Sequence, residues 1–188
     1  MGCTPRNGEA CPFVKSMWYV VRTEPGKEQT FVETIEKTIK HRSYRRCFFI
    51  KRERIRRKQG ECRVYKELLY PEYVFLDTED PEDFCRQISE LPQLVEILGT
   101  GRFNMQPVDE RERRFWTELL DGEKKDTIRL SPVQVNEDGE LVECGGVLKK
   151  FRQAVIKKRI RNRYVIVRTG IEGRDRDILL GIRVIGED

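Results

Sequence analysis

The sequence has few of the residues and patterns that catalytic and metal sites need. It contains one histidine, His41, and none of its six cysteines forms a C-x-x-C pair. Zinc sites depend on such pairs or on Cys and His in combination. A phosphate-binding loop and a nucleophile elbow are also missing, and His41 stands in KHRSYRR without a placed carboxylate. We therefore predict that the protein is not an enzyme and that it holds no metal and no cofactor.

Long hydrophobic runs are absent as well. A membrane-spanning helix needs roughly 18 or more consecutive apolar residues, and the sequence contains no such run. The opening segment, MGCTPRNGEACPF, has no apolar stretch that would act as a signal peptide. We expect a cytoplasmic protein without membrane contact, and we interpret residues 1–16 as a disordered leader.

Charge is abundant and is sorted along the chain. Residues 40–66 contain twelve Lys or Arg and two acids, whereas Glu72–Glu96 is acidic with only Arg86 opposing it. A third block, Val147–Arg168, contains nine Lys or Arg and no acid. Basic blocks of this kind form either solvated surfaces or surfaces that hold a polyanion. Composition alone leaves both interpretations open.

Strand and helix patterns alternate in the first part of the chain. MWYVVRT at Met17–Thr23 has the aromatic and β-branched content of a buried strand. Phe31, Ile35 and Ile39 recur every four residues and predict a helix over 25–40. Further along, the patterns predict a second strand at Cys47–Ile55, a turn at Gly60 and a third strand after this turn. They then predict a central strand at Tyr70–Thr78, a helix through Phe84, a short strand at VEILGTG and a helix that begins at Asp109. Interleaved elements of this kind predict an α+β sandwich over residues 17–120.

The pattern changes after a short charged segment. Residues 121–130 suit a linker, and residues 131–188 contain short strand patterns separated by Gly-containing turns. Several short strands with turn signals predict a small barrel. Leu148, Phe151 and Val155 also fit one face of a helix, so a helical form of this stretch is the alternative.

The order of these parts resembles the NusG family of transcription elongation factors. The resemblance rests on WYVV with PGKE downstream, YPEYVFL at Tyr70–Leu76, LPQLVEILGTG at Leu91–Gly101 and GELVECGGVLKKF at Gly139–Phe151. The first three are similar to segments of the NusG amino-terminal domain, and the last is similar to the start of a KOW barrel. The resemblance implies a NusG-type amino-terminal α/β sandwich at 17–120 and a small KOW-type β-barrel at 131–188.

Two departures indicate a specialised branch of that family. Glu72 and Gln153 stand where the housekeeping proteins have glycine. The sequence thus resembles the LoaP-type antiterminators, whose recruitment to a hairpin in the nascent RNA would promote processive antitermination. The alternative is a housekeeping-type elongation and termination factor whose KOW domain binds protein partners instead of RNA.

The resemblance also implies a surface that binds RNA polymerase. Trp18, Tyr70 and Tyr73 are expected to help form the apolar patch that docks on the polymerase clamp helices. Exposed aromatic side chains suit such a patch because they bury much area at little entropic cost. The alternative for Trp18 is a place in the core. We expect the factor itself to be a monomer.

The two basic blocks provide candidate nucleic-acid contacts. Our candidates for the RNA site, with Asn162 as the reader of a base edge, are Lys149, Lys150, Arg152, Lys157, Lys158, Arg159, Arg161, Asn162 and Arg163. On a regular strand, alternation would place Lys157, Arg159, Arg161 and Arg163 on one face, and a bulge would change this register. The candidates for a second contact, to non-template DNA or to the RNA, are Arg54, Arg56, Arg57 and Lys58. A solvated hairpin whose charges prevent aggregation is the competing interpretation.

Overall fold

The computed structural model of the chain describes residues 17–39, 43–58, 61–98, 105–122, 124–171 and 174–186. The predicted leader and the predicted turn at Gly60 lie outside these ranges. The helices are α1 (Glu28–Thr38), α2 (Pro81–Ser89), α3 (Pro92–Leu98), α4 (Glu110–Leu120) and α5 (Leu148–Phe151). The strands are β1 (Met17–Arg22), β2 (Arg46–Phe48), β3 (Lys51–Lys58), β4 (Glu61–Leu68), β5 (Tyr73–Thr78), β6 (Met105–Pro107), β7 (Thr127–Ile128), β8 (Ser131–Val135), β9 (Leu141–Cys144), β10 (Val155–Arg159), β11 (Tyr164–Ile171) and β12 (Arg174–Val184).

The first half is built on an antiparallel sheet with the strand order β2-β5-β1-β6. Successive side chains on a strand point to opposite faces, so Val21 and its partner Val74 face one side and Trp18 faces the other. Helices α1, α2 and α3 cover the Val21 face, where Phe31 and Ile88 are fully buried. This arrangement confirms the predicted mixture of helices and strands.

Helix α1 is shorter at its start than the periodicity predicts. The prediction began at residue 25, but the helix begins at Glu28. Gly26 has φ +82°, a left-handed conformation that interrupts a helical path. The Glu28 carboxylate is buried, and it accepts hydrogen bonds from the backbone N–H groups of Gly26 and Glu72. Helix α4 begins as expected, because Asp109 accepts a bond from the backbone N–H three residues later, and Asp80 caps α2 in the same way.

Two strand predictions are wrong. The segment Cys47–Ile55 is not one strand, because it is divided between β2 in the central sheet and β3 in a separate sheet. Phe48, Phe49 and Ile50 are consecutive and all buried, which indicates a chain that passes between two packed layers. The segment VEILGTG is not a strand in its described part, since Val95–Leu98 belong to α3. Leu94 and Leu98, four residues apart, are both buried, and this helical spacing outweighs the local β-branched residues.

The second half is rich in strands, as predicted. Strands β8 to β12 form a five-stranded sheet in the order β10-β11-β12-β8-β9. Strand β12 pairs with β11 in antiparallel fashion and with β8 in parallel fashion. Within the described ranges no hydrogen-bonded ladder joins β9 to β10, so barrel closure remains a prediction. The domain boundaries remain predictions too, although the predicted linker contains β7, which pairs with β3.

One apolar cluster connects the two halves of the molecule. On the second face of the central sheet, Trp18 and Phe75 join Trp116 of α4 in a cluster that also contains Leu148 and Val165 of the second half. The ring of Phe115 meets that of Phe151 edge-on, with 5.6 Å between centroids. Burial of apolar surface contributes roughly 25 cal/mol per Å², so this shared cluster stabilises the packing of the halves against each other.

A second contact between the halves depends on a glycine. Strand β3 lies against β12, where a Cβ atom on Gly181 would be 2.2 Å from the carbonyl oxygen of Glu53 and 2.7 Å from Cδ2 of Leu130. Only a residue without a side chain permits this approach. The Glu53 carboxylate also accepts a hydrogen bond from the Leu130 backbone N–H (3.1 Å), and Arg52 donates to the Leu179 carbonyl (3.3 Å).

We predict that Gly181→Ala lowers the free energy of unfolding by about 1–3 kcal/mol, since the added methyl group overpacks a backbone contact. Urea denaturation followed by the fluorescence of the buried Trp18 and Trp116 measures this change. Val142→Ala is the control, because Val142 is 55% exposed and its truncation should cost less than about 0.5 kcal/mol. Equal stability of Gly181→Ala and the wild type would contradict the contact.

Candidate nucleic-acid interface

Strand β10 lies at the edge of the five-stranded sheet and contains a register shift. The shift falls between Val155 and Lys157, where Ile156 is the extra residue and is 46% exposed. Beyond it, Lys157 pairs with Ile166 and Arg159 pairs with Tyr164, so the two cations share one face. Lys158 is opposite the buried Val165, and its ammonium group forms an ion pair with Glu140. The irregularity therefore precedes Lys157 and leaves Lys157 and Arg159 on the same face.

The predicted alternation does not continue beyond Arg159. Ile160–Asn162 form a 3-10 turn, and Arg163 has φ +58°, the left-handed conformation that ends this turn. The prediction of a common strand face is therefore wrong for Arg161 and Arg163. The side chains of Arg161 and Asn162 are exposed on the turn, next to the end of β10.

The first three basic candidates lie on helical turns, so the helical alternative holds for Leu148 and Phe151, whereas Val155 begins β10. Lys149 and Lys150 belong to α5, and Arg152 begins a 3-10 turn. Leu148 is fully buried and anchors this short helix in the shared cluster. Lys150 lies 3.8 Å from the Asp121 carboxylate, and Arg152 donates to the Leu141 carbonyl at 2.8 Å. Two of these three cations thus make contacts within the protein.

The β3–β4 hairpin holds its inner arginines in an ion-pair cluster. The Glu67 carboxylate accepts hydrogen bonds from Arg52 (2.7 Å) and Arg54 (3.3 Å), and all three side chains are less than a quarter exposed. Burial favours the neutral acid, but the bonds and charges of Arg52 and Arg54 outweigh it and lower the pKa of Glu67 below its usual value. These arginines are therefore positioned by Glu67.

The outer cations of this hairpin are divided between its two faces. The exposed Arg56 is two residues from Arg54 on the same face, and its guanidinium lies 4.1 Å from the ring centroid of Tyr65. Arg57 is exposed on the opposite face, where its partner is Cys62. The side chain of Lys58 lies outside the part of the structure that is described. The four candidates of this hairpin hence do not form one surface.

The three predicted polymerase-binding aromatics differ in exposure. Trp18 is only 1% exposed and meets the rings of Phe48 and Phe75 edge-on. Tyr70 is half-buried against Trp116, with 5.7 Å between the ring centroids. Tyr73 is 36% exposed. Of the three, Tyr73 is therefore the most accessible.

An aromatic residue that the sequence analysis did not single out lies between the two basic blocks. The guanidinium of Arg54 is 5.0 Å from the ring centroid of Tyr164, which is the cross-strand partner of Arg159. The spacing of Tyr164 beside Arg161 and Arg163 was a visible signal, since aromatic residues within basic stretches are common in nucleic-acid sites. The contact with Arg54 had no signal in the sequence, because the two residues are 110 positions apart.

No described helix is long and apolar enough to cross a membrane. Within the same part of the chain, no three Cys, His, Asp or Glu side chains are grouped so that they could hold a metal ion.

The fold is thus a mixed α/β unit followed by a strand-rich region. A family model described as "Transcription termination factor nusG" matches residues 16–115, which is just over half of the chain. The chain belongs to the NusG family, a family of transcription factors that are not enzymes. No curated protein matches it significantly. Among solved structures, one that concerns domain interaction in Thermotoga maritima NusG is similar, at 23% identity over 89% of this chain and 94% of that one, with a TM-score of 0.48.

We predict that Glu67→Gln destabilises the fold by about 1–3 kcal/mol, because it removes the charge that balances two partly buried arginines. The folded pKa of Glu67 is lowered. Its contribution is therefore present above the unfolded value of about 4.3 and is lost as the pH falls through the folded pKa. Urea denaturation at pH 7 and at acidic pH measures the difference.

Glu61→Gln is the matched control on the same hairpin. Glu61 pairs with Arg63 at the surface, where both side chains are more than two-thirds exposed. Its substitution should change the stability by less than about 1 kcal/mol. If the two variants were equally stable at pH 7, the ion-pair cluster would have no structural role.

Proposed function

We propose that this NusG-family protein regulates transcription elongation by binding RNA polymerase through its first half and a hairpin of nascent RNA through its second half. The observation that carries the proposal is a group of three exposed cations, Lys157, Arg159 and Arg161, at the end of β10. None of them forms an ion pair with a residue that the structure describes. The expected outcome is processive antitermination.

Electrostatics favour a polyanion as the occupant of this site. Each Lys or Arg that neutralises a phosphate releases condensed counterions, and this release favours binding at low salt. Lys157 and Arg159 are two residues apart on a strand, or about 6.6 Å at 3.3 Å per residue. Their side chains project from an edge strand, which leaves room for a helical nucleic acid to approach.

The neighbouring turn carries a side chain that suits the recognition of an RNA base. Asn162 is exposed at the end of the 3-10 turn, and its amide carries both a donor and an acceptor. Base edges in RNA loops and bulges are accessible to such groups, whereas regular RNA helices are recognised through their shape and backbone. We therefore assign backbone contacts to Lys157, Arg159 and Arg161, and a base contact in a loop or distorted pair to Asn162.

Binding to RNA polymerase is assigned to the first half. The family match covers this half, and Tyr73 presents an accessible ring at the start of β5. A factor that holds both the polymerase and the RNA emerging from it gains from effective concentration, because the second contact becomes intramolecular. Two individually weak contacts would then suffice to retain the factor during elongation.

The specialised, LoaP-like assignment draws on Glu72. This residue has φ +76°, a conformation in which glycine is strongly preferred. Its carboxylate forms an ion pair with Arg22 at 2.6 Å. Glu72 thus adopts a backbone conformation suited to glycine, and its side chain makes a contact that glycine would lack. This local difference supports a branch distinct from the housekeeping factors.

A housekeeping-type role, in which the second half binds a protein, is the alternative. It is favoured by two exposed apolar side chains on the edge strands of the five-stranded sheet, Val142 on β9 and Ile156 on β10. Exposed apolar groups on edge strands suit protein partners. The two roles differ in their response to salt, since binding to phosphates weakens steeply as salt increases.

We predict that replacing both Arg159 and Arg161 by Ala weakens binding of the nascent RNA hairpin by about tenfold or more at low salt, because two phosphate contacts are lost. The affinity for RNA polymerase should remain within about twofold. Fluorescence anisotropy with labelled RNA and a polymerase pull-down measure the two quantities. Unchanged RNA affinity would contradict the assignment, and loss of both activities would contradict the separation of roles.

We also predict that Tyr73→Ala reduces capture of RNA polymerase, since it removes the accessible ring of the proposed patch. Tyr73→Phe is the matched control and should retain capture, because it keeps the apolar ring. Pull-down of purified core polymerase at several concentrations provides the comparison. Equal capture by the Ala variant and the wild type would exclude Tyr73 from the interface.

A further inference from the structure

The two basic blocks, which are far apart in the sequence, meet at one point of the folded chain. The ring of Tyr164 lies between the guanidinium of Arg54, 5.0 Å from its centroid, and the β10 strand, where Arg159 is its direct partner. Directly paired side chains in an antiparallel ladder have Cβ atoms roughly 4.5–5.5 Å apart on the same face. Arg54 and Arg159 therefore flank the same aromatic ring on the same face of the sheet.

The position of the hairpin on this face is fixed by its backbone. Tyr164 pairs with Arg159 on one side and with Gly181 on the other. The Glu53 carbonyl occupies the space above Gly181, which places Arg54, the next residue, beside Tyr164. Glu67 holds the Arg54 guanidinium from the other side. The approach of the two cationic segments thus follows from a close backbone contact and an ion pair, and not from flexible side chains alone.

Further cations extend this face along the hairpin. Arg56 and its cross-strand partner Arg63 lie on the same side of the hairpin as Arg54. Both are exposed, and their ion pairs, Arg63 with Glu61 and Arg56 with Glu67 at 4.0 Å, lie at the surface or at the limit of contact. Tyr65, the direct cross-strand partner of Arg54, lies on the same face beneath the guanidinium of Arg56. The face thus alternates arginines with two tyrosine rings. Such interleaving combines phosphate neutralisation with surfaces on which bases stack.

We propose that the β3–β4 hairpin and the β10–β11 edge form one composite RNA-binding surface, centred on Tyr164 between Arg54 and Arg159. This inference rests on the proposed RNA-binding function and identifies a second part of the same site. RNA, and not the non-template DNA, is the ligand of the hairpin face, because that face is continuous with the turn that carries Asn162. A stem-loop that spans both parts contacts both halves of the chain at once.

A consequence for stability follows from this arrangement. A ligand that binds only the packed arrangement stabilises it by an amount that grows with ligand concentration. RNA bound across Arg56, Tyr164 and Arg159 therefore favours contact between the hairpin and the five-stranded sheet. Recruitment by RNA and the relative position of the halves are then thermodynamically coupled, and the coupling is reciprocal.

The test compares two double variants and a matched control in the full-length protein. The hairpin variant is Arg56→Ala with Arg63→Ala, the edge variant is Arg159→Ala with Arg161→Ala, and the control is Lys27→Ala with Lys37→Ala. The control removes the same charge from exposed positions at and within α1, which packs on the other face of the central sheet. Circular dichroism confirms that each variant is folded.

The probes are a fluorescein-labelled RNA stem-loop of one helical turn and a single-stranded DNA of the same length. Anisotropy titrations over a range of salt concentrations give the affinity and its salt dependence. We expect the hairpin variant and the edge variant each to bind the stem-loop about tenfold or more weakly than the wild type. The slope of log K against log salt is negative, and each lost phosphate contact should reduce its magnitude by about one. The control should remain within about twofold.

Each other outcome has a distinct meaning. If only the edge variant loses RNA affinity, the RNA site stands and the composite surface is wrong. If the hairpin variant loses DNA affinity and keeps RNA affinity, the hairpin is a DNA contact and the composite surface is again wrong. An equal loss in the control would show diffuse attraction without a site. If the wild type does not bind the stem-loop, both the composite surface and the proposed function are overturned.

Discussion

The apolar second face of the central sheet is the feature on which the rest of the structure depends. Exposure of Trp18 and Phe75 on this face to water would carry a large cost, and both are buried in one cluster with Trp116 and Leu148. This burial brings the second half of the chain against the first. Once the halves are in contact, Gly181 allows the edge of β3 to approach β12, and Arg54 reaches Tyr164 as a result. The hydrophobic cluster thus determines where the charges are displayed.

Charge in the linear sequence is a poor guide to charge that is available to a ligand. In the block Val147–Arg168, Lys150, Arg152 and Lys158 contact groups of the protein, whereas Lys157, Arg159 and Arg161 face solvent. In the hairpin, Glu67 holds Arg52 and Arg54 closely, while Arg56 lies 4.0 Å from the same carboxylate and remains 71% exposed. We expect the solvent-facing cations to gain more from a phosphate than the cations that Glu67, Asp121 or Glu140 already pairs.

Much of the fold was predictable because its elements have clear periodicities or caps. Helix α2, with its cap at Asp80, and strand β5 are of this kind. Prediction failed where tertiary packing decided between local options, as for α3 and for the division of β2 from β3. The candidate site was predictable as a set of basic residues but not as a surface. A register shift beside Ile156 and a contact between Arg54 and Tyr164 depend on hydrogen bonding and packing that composition does not encode.

The match over the first half shows the family, which is one of transcription factors. The central claim is that RNA lies across the ring of Tyr164. Ultraviolet cross-linking of the full-length protein to an RNA stem-loop, followed by peptide mapping, tests it most directly. The account predicts cross-linked peptides that contain Tyr164 and Tyr65, from the two halves of the chain. Cross-links confined to residues of α1, α2 or α3 on the other face of the central sheet would contradict it.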